Sequence, residues 1–262
     1  MTAKPTDLQR LLISAIEAQI ELGFEEVILD DDIPAAVPVP VEERKILTMS
    51  RPAEPASTSS VDLFGEDKGA IAQEPEYESL EAHYNAICEC KKCPLWEGRT
   101  KFVYGVGNPH ADIMFIGEAP GAEEDRLGEP FVGRAGKLLD KILAAIMFTR
   151  DDVYIANILK SRPPNNRDPL PSEMEACMPY LIEQLRLIKP RLICALGRIA
   201  GQALLNTTTP LGKLRGRWHQ YEGVPLMVTY HPAALLRFPQ YKRPTWEDMQ
   251  MLRAEYDRLT TA

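Results

Sequence analysis

The sequence predicts an α/β domain of three layers, α/β/α, around a four-stranded parallel sheet. Two observations carry that expectation. From about residue 81 onward, short apolar runs alternate with longer helical stretches, the pattern of parallel strands joined by crossover helices. In addition, three polar strings rich in Gly, Pro or basic residues, GEAPG, NILKSRPPNNR and HPAALLR, each begin at or beside the end of an apolar run. Ligands of parallel sheets bind beyond the carboxyl ends of the strands. Three such strings on one sheet edge predict an active site.

The elements follow in order. Residues 6–23, TDLQRLLISAIEAQIELG, carry apolar residues at helical spacing, with Thr6 or Asp7 to cap the start and Gly23 to end it. A helix is expected within residues 1–24, packed on its own domain or docking a partner. Residues 25–80 are expected to be a linker. From residue 30 on they are rich in Pro, Ser, Ala and acid, and bury too little apolar surface to offset chain entropy. The catalytic domain is expected over 81–262. Within it strands are predicted at 112–117, 152–157, 191–197 and 225–230. Helices are predicted at 135–147, 172–188, 198–205 and 245–259, the second opened by Ser172 with Glu175 as its capping-box partner.

The 262 residues suffice for one large domain with extras, and a hydrophobic fraction of 45% supplies a core. A net charge of -8 argues against a nucleic-acid partner until it is divided along the chain. Residues 1–80 hold 6 Lys/Arg against 17 Asp/Glu, whereas residues 81–262 hold 24 against 21. The acidity belongs to the arm, and the domain is mildly basic. No apolar run of about 18 residues is present to span a membrane, and MTAKPTDLQR lacks the pattern of a signal peptide. A cytoplasmic protein is expected. In that setting the three cysteines of ICECKKC read as metal or iron–sulfur ligands ahead of disulfides.

The string GEAPGAEED, four residues, then PFVGRAG (117–136) follows the first strand of the alternation and aims Glu118 into the cleft. It has neither the Lys-Ser/Thr ending of a phosphate loop nor a G-x-G-x-x-G, which argues against a nucleotide site. Together with VYIANILKSRPPNNRDP (153–169), KPRLICALGRIA (189–200), KLRG (213–216) and TYHPAALLR (229–237), it resembles the family 4, iron–sulfur type, uracil-DNA glycosylases. The resemblance covers about residues 86–258. It implies hydrolysis of the bond between uracil and deoxyribose in single- or double-stranded DNA, leaving an abasic site.

It also implies roles. Phe131 stacks on the extruded base and offsets part of the cost of flipping. Asn157 offers a donor and an acceptor that match uracil O4 and N3–H and mismatch cytosine; its plainer role is a strand-end turn former. His231, the one histidine of four at a strand end beside a motif, donates to uracil O2 as charge develops there. Glu118 holds water and steadies the cationic sugar, Ala119 occupying the place where better-known glycosylases carry an Asp. Glu124 and Asn166 line the pocket. Leu235 is the wedge that fills the gap in the stack, with Leu236 as the alternative; the plainer role of Leu235 is a core leucine. Lys160, Arg162 and Arg237, with Arg167, Lys213, Arg215 and Arg217, are expected on DNA phosphates, and Gly133 and Gly136 are expected where DNA approaches the backbone.

For the cofactor, the resemblance implies a [4Fe–4S] cluster with Cys90, Cys93, Cys177 and a third-place ligand that is Ser161 in this chain. Such clusters are normally held by four thiolates, so Ser161 places occupancy in doubt. Cys88 as substitute ligand, zinc as the metal, and no metal at all stay open. Cys194 reads as core. Two rivals to turnover are a relative that binds uracil-containing DNA covalently and a binding scaffold without catalysis. The first uses a reactive His after the second strand, and residues 158–176 contain none. The acidic arm suits a protein partner.

Overall fold

The computed structural model describes residues 73–261, together with Ile20 and Ile71. Apart from Ile20, the expected N-terminal helix lies outside the described residues, as does most of the expected linker. Among the described residues, no helix is long and apolar enough to cross a membrane.

The sheet is larger than expected: six strands, mixed in direction. They are β1 (Val106–Gly107), β2 (Ile113–Gly117), β3 (Tyr154–Asn157), β4 (Leu192–Leu196), β5 (Trp218–Tyr221) and β6 (Val224–Thr229), in the order β1-β3-β2-β4-β6-β5. The four expected strands, β2, β3, β4 and β6, form the parallel centre, with Gly117 beside Asn157 and Leu196 beside Thr229. The two unexpected strands are antiparallel edges. β1 spans two residues, too few to show a period. β5 is only partly buried, and its WHQY carries no apolar run.

Eight helices are described: α1 (Leu80–Ile87), α2 (Ala122–Leu127), α3 (Arg134–Ala145), α4 (Pro171–Ile188), α5 (Arg198–Leu204), α6 (Leu211–Leu214), α7 (Pro232–Arg237) and α8 (Lys242–Thr261). Alternate residues of each strand serve opposite faces. Ile113, Phe115, Ile155, Cys194 and Met227 pack with α3 and α8 in one core. Met114, Ile116, Ala156, Ile193 and Val228 pack with α4 and α5 in the other. The three layers follow from that division.

The start of α4 differs from expectation. Pro171 takes the first helical position, where its missing N–H costs nothing, and Leu170 is the cap residue. Glu173, not Glu175, reaches back to the Leu170 N–H at 2.8 Å. Upstream, the Glu76 and Tyr77 N–H groups donate to Glu183 Oε1 of α4 at 2.6 and 3.0 Å, so contact with the domain begins before residue 81.

Candidate active site

The chain leaves β2 for β3 on one side and then crosses to β4 on the other. Ligands of such sheets bind where the strand order reverses. A cleft of about 320 Å³ opens at that edge, lined among others by Glu118, Ala119, Glu124, Phe131, Asn157, Asn166, His231 and Arg237. Every residue expected on catalysis or on the base is therefore in one cavity.

Asn157 ends β3 and is 2% exposed, and its side-chain Oδ1 is buried without a hydrogen-bond partner. A buried acceptor left unmade costs about 1–3 kcal/mol. Gly117, opposite it on β2, leaves the room: a Cβ there would run into Asn157 Oδ1 and the Phe131 ring. Phe131 is held in a left-handed backbone conformation, φ 55°, by Arg150, whose Nη1 donates to its carbonyl at 3.0 Å. Its ring stacks on the His231 imidazole, centroids 5.4 Å apart and planes 28° apart.

His231 caps α7: its Nδ1 accepts the Ala233 N–H at 3.1 Å. A ring nitrogen that accepts carries no proton, so the neutral ring keeps its hydrogen on Nε2. Burial holds its pKa down to about 4, with Arg237 lowering it further and Glu124 opposing. The imidazole is therefore a neutral donor at physiological pH.

Glu118 lies just past β2. Burial pushes its carboxyl up to about 7, Asp168 adding to the rise and Arg198 opposing it. Asp168 and Arg198 pair at 2.6 Å. Asp168 was missed as a site residue, although it stands within the quoted string VYIANILKSRPPNNRDP; so was Ala135, at the start of α3.

Other expected residues have different work. Glu124 lines the cleft, but its carboxylate accepts three backbone N–H bonds, from Gly121 at 3.1 Å, Val132 at 3.0 Å and Gly133 at 2.9 Å, bracing the loop that carries Phe131. Gly133 thus spends its N–H on Glu124 and not on DNA. Gly136 is buried against the Phe131 carbonyl, where no Cβ fits, so it is a packing glycine and not a DNA contact.

Lys160 is a correction. It is 0% exposed, and its Nζ donates to Asn157 O at 2.8 Å, Tyr104 O at 3.1 Å and Gln184 Oε1 at 2.6 Å. It buttresses the end of β3 from behind and reaches no phosphate. Arg215 likewise turns inward, its guanidinium forked onto buried Asp248 at 3.0 and 2.9 Å. Arg167 grips Glu173 at 2.8 and 2.6 Å. Arg162 Nε donates to Asn166 Oδ1 at 2.8 Å, tying two expected residues together. Arg237, Lys213 and Arg217 are exposed.

Leu235 is a second correction. At 1% exposed it belongs to the core with α3 and α8 and cannot enter DNA. Residues three and four apart share a helix face. Ala233 lines the cleft, so the same face of α7 carries Leu236, 42% exposed, and Arg237.

The expected metal ligands share one corner. Cys93 and Cys177 are in contact, the Cys177 S–H donating to Cys93 and holding the Cys93 thiol below its ordinary pKa. Cys90 Sγ instead accepts Tyr180 Oη–H at 3.0 Å. Arg99 Nη1 donates to the Cys90 carbonyl at 3.0 Å and to Ser161 Oγ at 3.3 Å. Among the described residues, no three His, Cys, Asp or Glu side chains group as a cation site. The donor set is three sulfurs and one hydroxyl already engaged by Arg99. It does not fit a cluster held by four thiolates. Cys194 is buried in the core, as expected.

Comparison with known proteins agrees with this geometry. The profile of the uracil DNA glycosylase superfamily matches residues 104–250. Over 183 residues the chain is 46% identical to the type-4 uracil-DNA glycosylase of Archaeoglobus fulgidus, covering 67% of this chain and 92% of that relative. Over 180 residues it is 44% identical to the type-4 uracil-DNA glycosylase of Pyrobaculum aerophilum, covering 66% and 92%. The type-5 uracil-DNA glycosylase of the same organism is 33% identical over 185 residues, covering 58% and 81%. Shared sequence over nearly the whole of these relatives, together with a cleft at the reversal point of the sheet, places the chain in the uracil DNA glycosylase superfamily, among its type-4 members.

Proposed function

We propose that the chain hydrolyses the N-glycosidic bond of uracil in DNA, releasing uracil and leaving an abasic site for repair. The observation that carries the reading is the orphaned Oδ1 of Asn157, a buried acceptor on a residue that lines the cleft with Glu118, Phe131 and His231. Uracil N3–H supplies the missing donor, and the Asn157 amide N–H supplies uracil O4. Cytosine has an acceptor at N3 and a donor at C4, so it leaves both groups unpaired.

As the bond from N1 to C1′ breaks, the electron pair goes to the ring and C1′ becomes cationic. The His231 Nε2–H, neutral and fixed by the α7 N-cap, meets the negative charge at O2. It donates without giving up its proton, as an oxyanion hole does. The Glu118 carboxylate steadies the sugar cation, orients the water that adds to C1′ and takes the proton that water loses, while the departing uracil anion is protonated from solvent. Phe131, packed on His231, supplies the face on which the base rests. Leu236 fills the space the base leaves in the stack, and Arg237 and Arg162 meet phosphates.

Both single- and double-stranded DNA are proposed as substrates, since an unpaired base costs less to extrude. The corner of Cys90, Cys93, Ser161 and Cys177 is proposed as a structural brace, since hydrolysis of an N-glycosidic bond moves no electrons. The acidic arm is proposed to meet a basic protein and not DNA.

Asn157→Asp tests the reading. Excision of uracil falls and discrimination against cytosine narrows, measured as the ratio of kcat/KM on strands carrying either base. An unchanged ratio removes Asn157 from the reading of the base, and with it the observation that carries the assignment.

A further inference from the structure

We propose that the exposed face of Phe238 is a stacking platform for the base next to the extruded one on the same strand. The inference deepens the excision reading and rests on it. Phe238 follows Arg237, which lines the cleft, and is 49% exposed, the same fraction as Leu170 and more than any other large apolar side chain described from residue 73 on. Its underside is anchored. The ring lies 5.7 Å from Tyr241, and Tyr241 stacks on Tyr230 with centroids 4.2 Å apart and planes 8° apart. Tyr230 directly precedes His231, so this row of rings is rooted beside the cleft and ends in solvent at Phe238.

Two features make the open ring a platform for a base. It is rigid: Phe238 caps α7, donating its N–H to Ala234 O at 2.8 Å, and Pro239 then begins a short 3-10 turn, Pro239–Tyr241. A fixed aromatic face loses little entropy on contact. Its flanks in the chain carry arginines, exposed Arg237 before it and, after it, Arg243, 85% exposed along its side chain and only loosely paired with Glu247 at 3.7 Å. An aromatic face between cations is how single-stranded nucleic acid is held without reading its sequence, each base having a π-face. Leu236 sits on the cleft-facing side of the same segment, so the strand that delivers its uracil to the cleft passes over Phe238.

The test is a binding cycle on single-stranded oligonucleotides carrying 2′-fluoro-2′-deoxyuridine, which resists cleavage. The base on its 5′ or its 3′ side is kept or replaced by an abasic tetrahydrofuran. Removing one of the two neighbouring bases weakens wild-type binding about tenfold, toward the low end of the range for one base–aromatic stack. Phe238→Ala weakens binding to the intact strand by the same about tenfold factor, loses nothing more when that base is absent, and Phe238→Trp restores the wild-type pattern. Losses that multiply on both sides overturn the platform, as does Phe238→Ala binding the intact strand within about twofold of wild type. Failure of the wild-type chain to release uracil from an ordinary deoxyuridine strand fells the excision reading instead.

Discussion

Gly117→Ala adds one methyl group at the place where β2 faces Asn157 at the end of β3. The backbone there is ordinary strand, so alanine is conformationally acceptable and only space is at issue. The new Cβ would stand 2.6 Å from Phe131 Cζ and 2.8 Å from Cε2, and would also strike Asn157 Oδ1. Carbon atoms rest about 3.5–4.0 Å apart, so the ring must retreat by roughly 1 Å and the amide must turn aside. Overpacking of this kind costs about 1–3 kcal/mol of stability. Function suffers more selectively, because misplacing reacting partners by about 1 Å costs on the order of 100-fold. The assay is single-turnover uracil release from a single-stranded oligonucleotide, beside a urea midpoint and binding to a uracil-free strand. The expected result is a folded protein, uracil-free binding unchanged and release down on the order of 100-fold. A folded Gly117→Ala variant that releases uracil within about threefold of wild type refutes the reasoning, because Asn157 and Phe131 would then not need the positions described.

Glu118 gives a pH test. Its carboxyl is raised to about 7 by burial, and the carboxylate is the working form, so release rises with pH up to about 7 and then levels. Glu118→Gln removes that limb along with most of the rate. The raised pKa also means that Glu118 supports the fold most at acid pH and that this support is lost as pH climbs through about 7; Glu118→Gln is therefore more stable than wild type at pH 8, read by thermal melting. His231, held down to about 4, adds no limb near its ordinary value, and His231→Ala slows the chemical step by a factor of about 100 or more while changing DNA affinity little; equal loss in both makes it a binding residue only. Ser161→Cys completes a set of four thiols, and iron and acid-labile sulfide per chain, measured after anaerobic purification, rise above wild type. About four iron atoms per chain in both proteins show that the hydroxyl already serves as a ligand, and no iron in either shows that the corner holds no cluster.

The parallel centre of the sheet was legible because β2, β3, β4 and β6 are apolar runs, buried on both faces, that end in polar strings. The edges were not: β1 is two residues long, and β5 is made of WHQY, whose pairing depends on the hairpin to β6. Glu118, Asn157 and His231 were readable as cleft residues because strand ends in a parallel sheet face one way. The direction of Lys160 was not readable, since it depends on Gln184 and Tyr104, brought from distant parts of the chain. Leu235 was misplaced for a related reason. Neighbours on a helix point about 100° apart, and only the packing of α7 against the core shows which of Leu235 and Leu236 looks outward.

The backbone of Phe131 sets a limit on how far this protein can be stabilised. A bulky residue at φ 55° is held against its own preference, which costs of order 1 kcal/mol or more. Exchange for Gly or Asn relieves that debt and also deletes the ring proposed to carry the base. Selection for heat resistance alone will therefore drift toward inactive chains at this position, whereas selection that also demands uracil release will keep the aromatic and find its gains elsewhere.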